Sequence, residues 1–343
     1  MLSYWETFLK SYKGYANYFW HEITQPGWNN YFYWLILVSL FFLILEWLSP
    51  WRKEQPRFRK DFWLDAFYMF FNFFLFSLII YNAASDVVVR FFNESILHLT
   101  GFNLKASNPM QYWPAWAVLL TGFVVRDFVQ WWVHRLLHRS DRLWEYHKVH
   151  HSVEQMGFAA HLRYHWMETL VYRSIEYIPL ALLGIGLHDF FVIHIFTLAI
   201  GHYNHANISV PGYVTGAVLG LLIGIVAANG LYDVNLFGPL SVLGKTGVMA
   251  GFALGGALLL GPLMKRIFNH PEMHIWHHAH DLPEERRYGV NFGISLALWD
   301  YLFGTAYIPK DGRDARLGFP GLARFPHNFW GQITHGFRKK KKA

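Results

Sequence analysis

The residues in this chain that could do chemistry are histidines. There are 20 of them and no cysteine. Eight fall in three tight clusters: His134-Arg-Leu-Leu-His138, His147-Lys-Val-His150-His151 and His274-Ile-Trp-His277-His278. Spacings of three and four place side chains on one face of a helix, so each cluster can aim two or three imidazoles at one point. The residues between them are bulky and apolar (Leu136, Leu137, Val149, Ile275, Trp276), as in helices packed around a buried site. A low-complexity metal-binding tract would repeat histidine without such apolar spacing. A lone interfacial histidine facing headgroups is the plainer reading for any one of them, but not for eight in three helical clusters.

Imidazole suits zinc, iron, copper and nickel. A structural zinc takes four ligands and a catalytic one takes three plus water. Eight or more convergent imidazoles exceed one such site and even one octahedral ion. Two ions with four or five ligands each accommodate them. The lack of cysteine excludes disulfides, thiolate zinc sites, iron–sulfur clusters and thiol nucleophiles. No HExxH hydrolase pattern occurs, and no nucleic-acid-binding motif accompanies the net charge of +7. The Gly184-Ile-Gly186 match lies inside an apolar stretch and does not follow a strand, so it is no dinucleotide fingerprint.

The elements that must position these clusters read as membrane helices. Hydrophobic residues make up 53% of the chain and charged residues only 15%, against roughly 25% charged in soluble domains. A hydrocarbon core of ~30 Å needs ~20 apolar residues in helix. Tyr31–Ser49, Asp65–Ala84 and Pro114–Val133 meet that need, the last interrupted by Arg126-Asp127. Leu170–Leu187 and Asp189–Tyr203 read as a shorter hairpin, and Tyr213–Ala228 with Thr246–Met264 as a final apolar pair. Residues 1–30 lack the pattern of a cleaved leader and read as an aromatic interfacial stretch. Residues 31–211 hold the spans and first clusters, 212–264 a glycine-rich hairpin, and 265–343 the last cluster and a cap. The fold class is therefore all-α: a polytopic membrane bundle with a helical cap carrying the histidines.

Lys and Arg concentrate in the loop after the first span (Arg52, Lys53, Arg57, Arg59, Lys60) and at the C-terminus (Arg338–Lys342), while Ser85–Tyr112, read as a loop, holds only Arg90 and Lys105. The positive-inside rule makes the first loop and the C-terminus cytoplasmic. Counting crossings from there puts all three clusters on the cytoplasmic side.

In this order and setting, HxxxH, HxxHH and HxxHH resemble the fatty acid hydroxylase/sterol desaturase superfamily. Asp127, His134-Arg135 and His138 resemble its D-x6-HR-x2-H stretch. Arg163, His165 and Glu168 resemble its R-x-H-P-x-E motif, with Trp166 in place of the proline. His205-Ala-Asn-Ile resembles its extra histidine, and Trp299-Asp300 with Phe303-Gly304-Thr305 its closing W-D-x2-FGT. The resemblance covers about Asp127–Pro211 and Asn269–Ile308. It implies a cytosol-facing di-metal site, usually iron (zinc can replace it on purification), that uses O2 and two electrons to oxidise a lipid C–H bond. The implied metal ligands are His134, His138, His147, His150, His151, His205, His274, His277 and His278. His202 follows as a tenth candidate, and His161, His165 and His270 as further ones. The unclustered His21, His98, His188, His194, His327 and His335 read as structural.

Metal-bound imidazoles usually donate their other N–H to a carboxylate or carbonyl. Asp127, two helical turns before His134, is the first candidate partner, then Glu168, Glu272 and Asp281. With no cofactor fingerprint in the chain, electrons come from a separate reductase, cytochrome or ferredoxin type of donor. The basic tail suits anionic lipid or an acidic electron carrier. Hydroxylation and desaturation start from the same hydrogen abstraction, so a lipid desaturase is the alternative chemistry. A non-enzymatic metal binder or transporter is the alternative class, though it needs polar groups along a midplane path. Here Arg126, Asp127, Arg173 and Glu176 gather near one predicted face instead.

The resemblance stops between His205 and His274. Twelve of the chain's 28 glycines fall within Pro211–Gly261, a segment with no His and no Trp. Gly212, Gly216, Gly220 and Gly224 recur every fourth residue, as do Gly247, Gly251 and Gly255. Small residues at that period let membrane helices pack closely, so the two faces are expected to meet. A two-span hairpin keeps His205 and His274 on one side.

Overall fold

The structure is a computed structural model and describes residues 3–28, 30–103, 109–183 and 187–337. Lys105, Gly184–Gly186 and the Arg338–Lys342 tail lie outside the described residues. Among those described there is no β-strand, only two isolated bridges, Phe268 with Leu296 and Ala279 with Leu317.

Helix α1 (Tyr4–Thr24) opens with a capping box: Ser3 Oγ accepts the Glu6 N–H, and the Glu6 carboxylate accepts the Ser3 N–H. α2 (Tyr31–Leu48) follows, then α3 (Phe62–Phe70), which runs through a π-helical stretch (Phe71–Tyr81) into α4 (Asn82–Thr100). The residues from Ser85 to Thr100, expected as loop, are helical. Polar side chains facing α1 support them there: Asp86 accepts from Tyr15, Glu94 from Tyr4, and Arg90 donates to Thr7.

α5 (Ala115–Arg139) and α6 (Asp141–His151) form a sharp turn at Ser140, which caps α6 through the Leu143 N–H. α7 (Trp166–Leu183) and α8 (Leu187–His205) pack on α5. α9 (Gly212–Asn229) pairs with α10 (Val242–Gly255), which passes through a π turn (Gly256–Leu260) into α11 (Gly261–Ile267) and then α12 (Pro271–His277). Among the described residues, three helical stretches are long and apolar enough to cross a membrane: Tyr31–Leu48, Gly212–Asn229 and Val242–Ile267. The described parts of the other expected spans are helical too, but α5 and α7 carry buried charge (Arg126, Asp127, Glu176).

The glycine hairpin forms, but with a different contact face on its second arm. Gly212, Gly216, Gly220 and Gly224 do face α10 and its continuation. A Cβ on Gly224 would lie 2.9 Å from Phe252 Cβ and 3.0 Å from Met249 Cα. The opposing ridge is Met249, Phe252, Gly256 and Gly261, not Gly247, Gly251 and Gly255, which have open space at the Cβ position. Gly256 sits one residue, about 100° of helix rotation, from the Gly247–Gly255 stripe. Close approach against α9 is needed where Gly256 and Gly261 cross Gly216 and Gly212, and that crossing sets the register.

The hairpin tip reaches α5: Asp233 accepts the Ala115 N–H at 2.7 Å. From Ala115 to His134 is about 30 Å of helix at 1.5 Å per residue. The histidines therefore lie at the opposite end of the bundle from the hairpin tip.

Candidate metal centre

The nine histidines of the sequence reading come together in two groups. His134, His138, His147, His151 and His277 form one, and His150, His205, His274 and His278 the other. Within each group the nearest ring nitrogens all lie within 4.8 Å of one another, and only His138 is more than marginally exposed. The helices explain the sorting. α5 ends with His134 and His138 one turn apart. α6 folds back and gives His147 and His151 to the first group, while His150 turns to the second. α12 divides its cluster likewise, His277 to the first and His274 with His278 to the second.

Backbone carbonyls fix which nitrogen four of the rings offer. Nδ1 of His134 contacts the Phe292 carbonyl at 2.7 Å, His277 that of Val290 at 2.8 Å, His150 that of Arg163 at 3.0 Å and His205 that of Gly201 at 2.8 Å. Nδ1 of His147 meets the Glu168 carboxyl at 2.8 Å. A carbonyl can only accept, so Nδ1 carries the hydrogen and Nε2 is left with a lone pair. Those lone pairs converge: Nε2 atoms are 3.1 Å apart in His134/His147 and His151/His277, and 3.2 Å in His150/His205. Burial disfavours the protons that could bridge them. It holds His150 down at about 3 and, with neighbouring imidazoles, pushes His147, His151, His277 and His278 well below the usual range. Two ligands ~2.1 Å from one ion lie about 2.9 to 3.4 Å apart. His274 differs, its Nδ1 facing the Asn269 amide N–H at 3.2 Å. Cations fit this donor set.

The supporting residues depart in part from expectation. Glu168 bonds His147 and also accepts the His165 N–H; burial raises its carboxyl to about 8. Asp127 bonds no histidine. Its oxygens accept from the Ser295 and Leu296 N–H groups and the Trp299 indole. Asp300 accepts from the Phe292 and Gly293 N–H groups, Trp131 and Thr305. The two aspartates thus clamp the 292–300 loop, whose Phe292 carbonyl orients His134. The depth of Asp127 in α5 forced a partner, and backbone N–H groups of this loop supply it. Glu272 pairs with His270 and Asp281 with His280, both outside the two groups.

His202 also stays outside, bonded to Ser39 at 3.1 Å and to His161 at 2.9 Å. His165 packs between Tyr146 and Trp166. A cavity of about 160 Å³ opens beside the rings, lined from α5, α7 and α8 by Arg126, Gln130, Glu168, Glu176, His194 and Thr197 among others. Sequence reasoning missed His194 and Gln130. A lone histidine has no pattern to signal it, but Gln130 lies one turn before His134 on the same face.

Comparison with known proteins agrees with this arrangement. The fatty acid hydroxylase family model matches residues 119–222, from α5 into α9. Ornithine lipid hydroxylase OlsE of Rhizobium tropici is 27% identical over 228 residues, 66% of this chain and 53% of that protein. These findings support the resemblance of the chain to the fatty acid hydroxylase superfamily. It spans about half the length of the Rhizobium relative. Very-long-chain aldehyde decarbonylase GL1-10 of Oryza sativa subsp. japonica is 43% identical over 56 residues, 16% of this chain and 18% of its own. No solved structure matches. The third histidine cluster lies beyond the matched family segment, yet the fold returns it to the first two.

Proposed function

We propose that this protein is a membrane di-iron oxygenase that hydroxylates a lipid. The observation that carries the reading is the pair of imidazole groups, five and four strong, with ring nitrogens within 4.8 Å of one another in each group. The first group would hold one ion and the second the other. A bound iron pair supplies the activation of O2 that C–H oxidation needs. The balance is R–H + O2 + 2 e⁻ + 2 H⁺ → R–OH + H2O, with electrons from a separate reductase, cytochrome or ferredoxin type of protein. The relatives' printed names, a lipid hydroxylase and an aldehyde decarbonylase, support lipid-directed chemistry.

The chain's own groups do the positioning. The carbonyls of Phe292, Val290, Arg163 and Gly201 hold the rings in one tautomer. Glu168, at the cavity wall, shares a proton with His147 Nδ1. Buried Arg163, paired with Asp61 and Asp65, fixes the loop whose carbonyl orients His150. The basic loop after α2 supports a cytoplasmic side for this end of the bundle by the positive-inside rule, open to a soluble electron carrier. Lipid enters from the bilayer between α5, α7 and α8.

The test pairs metal analysis with turnover. Iron-reconstituted protein should hold close to two equivalents. His150→Ala and His277→Ala should abolish lipid oxidation yet leave membrane insertion intact. His327→Ala, at an exposed position, should stay within a few-fold of the parent. Parental turnover in the first two variants, or one equivalent of metal in folded protein, overturns the reading.

A further inference from the structure

We propose that the cavity beside the histidines receives a lipid head bearing hydrogen-bond donors, hydroxyl or amino groups, so that the oxidised carbon lies in that head or within a few bonds of it. This rests on the oxygenase reading and adds the substrate class.

Size comes first. At about 160 Å³ the cavity matches one that holds a benzene-sized ligand of six heavy atoms. The cavity is half-open, so the remainder of a longer lipid can extend out of it. Lining comes second. Phe73, Leu162, Leu198 and Ile294 contribute an apolar wall. The same lining holds Gln130, Glu176, Thr197 and Asn204, on α5, α7 and α8, together with Arg126 and Arg173. A site for a bare hydrocarbon would not place such groups where they must be desolvated.

The third observation points to donors on the ligand. Gln130 and Asn204 are 8% and 2% exposed. Their amide N–H groups are used, Gln130 toward Glu176 at 3.4 Å and Asn204 toward the Ile294 carbonyl at 2.6 Å. Their carbonyl oxygens have no partner in the protein. A buried acceptor left unpaired forfeits the hydrogen bonds it would make in water, so each calls for a donor from whatever fills the cavity. Gln130 lies one turn before His134, and Asn204 directly precedes His205. A head bonded to both acceptors would hold its carbons against imidazoles of the two groups at once.

The experiment uses the metal-loaded enzyme in lipid nanodiscs with O2 and a reduced ferredoxin. Three chain-matched probes are offered: an N-acyl serinol, the fatty acid methyl ester, and a sterol ester. Tandem mass spectrometry locates the added oxygen. The expected result is turnover of the serinol lipid with the oxygen on the head fragment. Gln130→Leu should raise its KM ~tenfold, the loss of one hydrogen bond, at unchanged metal content. Oxygen placed in the distal chain, or equal KM for serinol and methyl ester, overturns the proposal. A second arm does not depend on turnover. Short-chain serinol and methyl ester probes are compared by thermal shift on the same protein and on Gln130→Leu. Preferential stabilisation by serinol that Gln130→Leu removes supports the head site even if no lipid is oxidised, an outcome that would sink the oxygenase reading alone. Equal shifts mean that water fills the cavity, and the head site is rejected.

Discussion

Placing alanine on the two glycine stripes of the hairpin should have opposite effects. On Gly220 a Cβ would lie 2.9 Å from the Phe252 carbonyl carbon and 3.1 Å from Gly256 Cα, and closer still to the Phe252 oxygen. Carbon atoms in good contact sit at about 3.5–4.0 Å. α9 and α10 must therefore separate by something near 1 Å. A gap of that size forfeits a quarter to a half of each dispersion contact along the seam. Overpacking of this kind costs about 1–3 kcal/mol. On Gly251 a Cβ meets nothing within 4 Å, and alanine gains up to ~1 kcal/mol of helix propensity over glycine. A chain of this size shifts its Tm by ~2 °C or more per kcal/mol. Scanning fluorimetry of metal-loaded protein in one detergent should show Gly220→Ala melting several degrees lower and Gly251→Ala unchanged or slightly higher. Both should retain parental metal, because neither glycine touches the histidine groups. Equal losses in the two variants would refute the register, and no loss in Gly220→Ala would refute close packing as the basis of the hairpin.

Three further outcomes follow from the centre and its supports. Asp300→Asn replaces one of two accepting oxygens with a donor, and its four donors include the Phe292 and Gly293 N–H groups; stability should fall by about 1–3 kcal/mol and metal occupancy with it, while circular dichroism keeps its helical signal. Glu168→Leu should weaken metal affinity ~10–100-fold in a chelator competition, as loss of a ligand's partner does, and Glu168→Gln far less because its amide oxygen still accepts from His147. Metal-free protein should be labile to acid. The folded pKa values of His147, His150, His151, His277 and His278 are depressed by burial, so above about 6.5 these rings are neutral folded or unfolded and add no pH dependence. Below it the unfolded chain takes up protons that the folded one refuses, at roughly 1 kcal/mol per group per pH unit. A urea titration should show stability collapsing between pH 6.5 and 5, and a flat profile across that window would contradict it.

How much was legible follows from the kind of signal each feature leaves. The eight clustered histidines were readable because helical spacing is local: residues three and four apart share a face whatever the tertiary fold. His205 was legible only through the family resemblance. The sorting into two groups was not readable. His150 leaves its neighbours His147 and His151 because the Arg163 carbonyl and His205, distant in sequence, draw it to the other side. The partner of Asp127 was unreadable for the same reason, since Ser295, Leu296 and Trp299 lie more than 160 positions away. Its cost inside α5 was visible, its solution was not. On α10, glycine periodicity showed that a small-residue face exists, but two faces one residue apart compete there, and the choice depends on where Gly256 and Gly261 cross α9.

The hairpin raises a question of consistency with the site, and the geometry answers it. A long segment between His205 and His274 could displace the last cluster from the first two. Here α9 leaves the histidine end and α11 returns to it, so the hairpin has even parity. Its tip is fastened at the far end of α5, by Asp233 on the Ala115 N–H. The centre itself is closed by contacts that bypass the hairpin: Asn204 to the Ile294 carbonyl, Asn269 to Gly293, and His205 with His274 at 3.1 Å. Since the imidazoles of α8 and α12 are joined directly, the two arms serve as a spacer whose register matters to stability and whose sequence is free of the site. That freedom explains how a segment so rich in glycine, with no histidine, can stand between two halves of one metal centre.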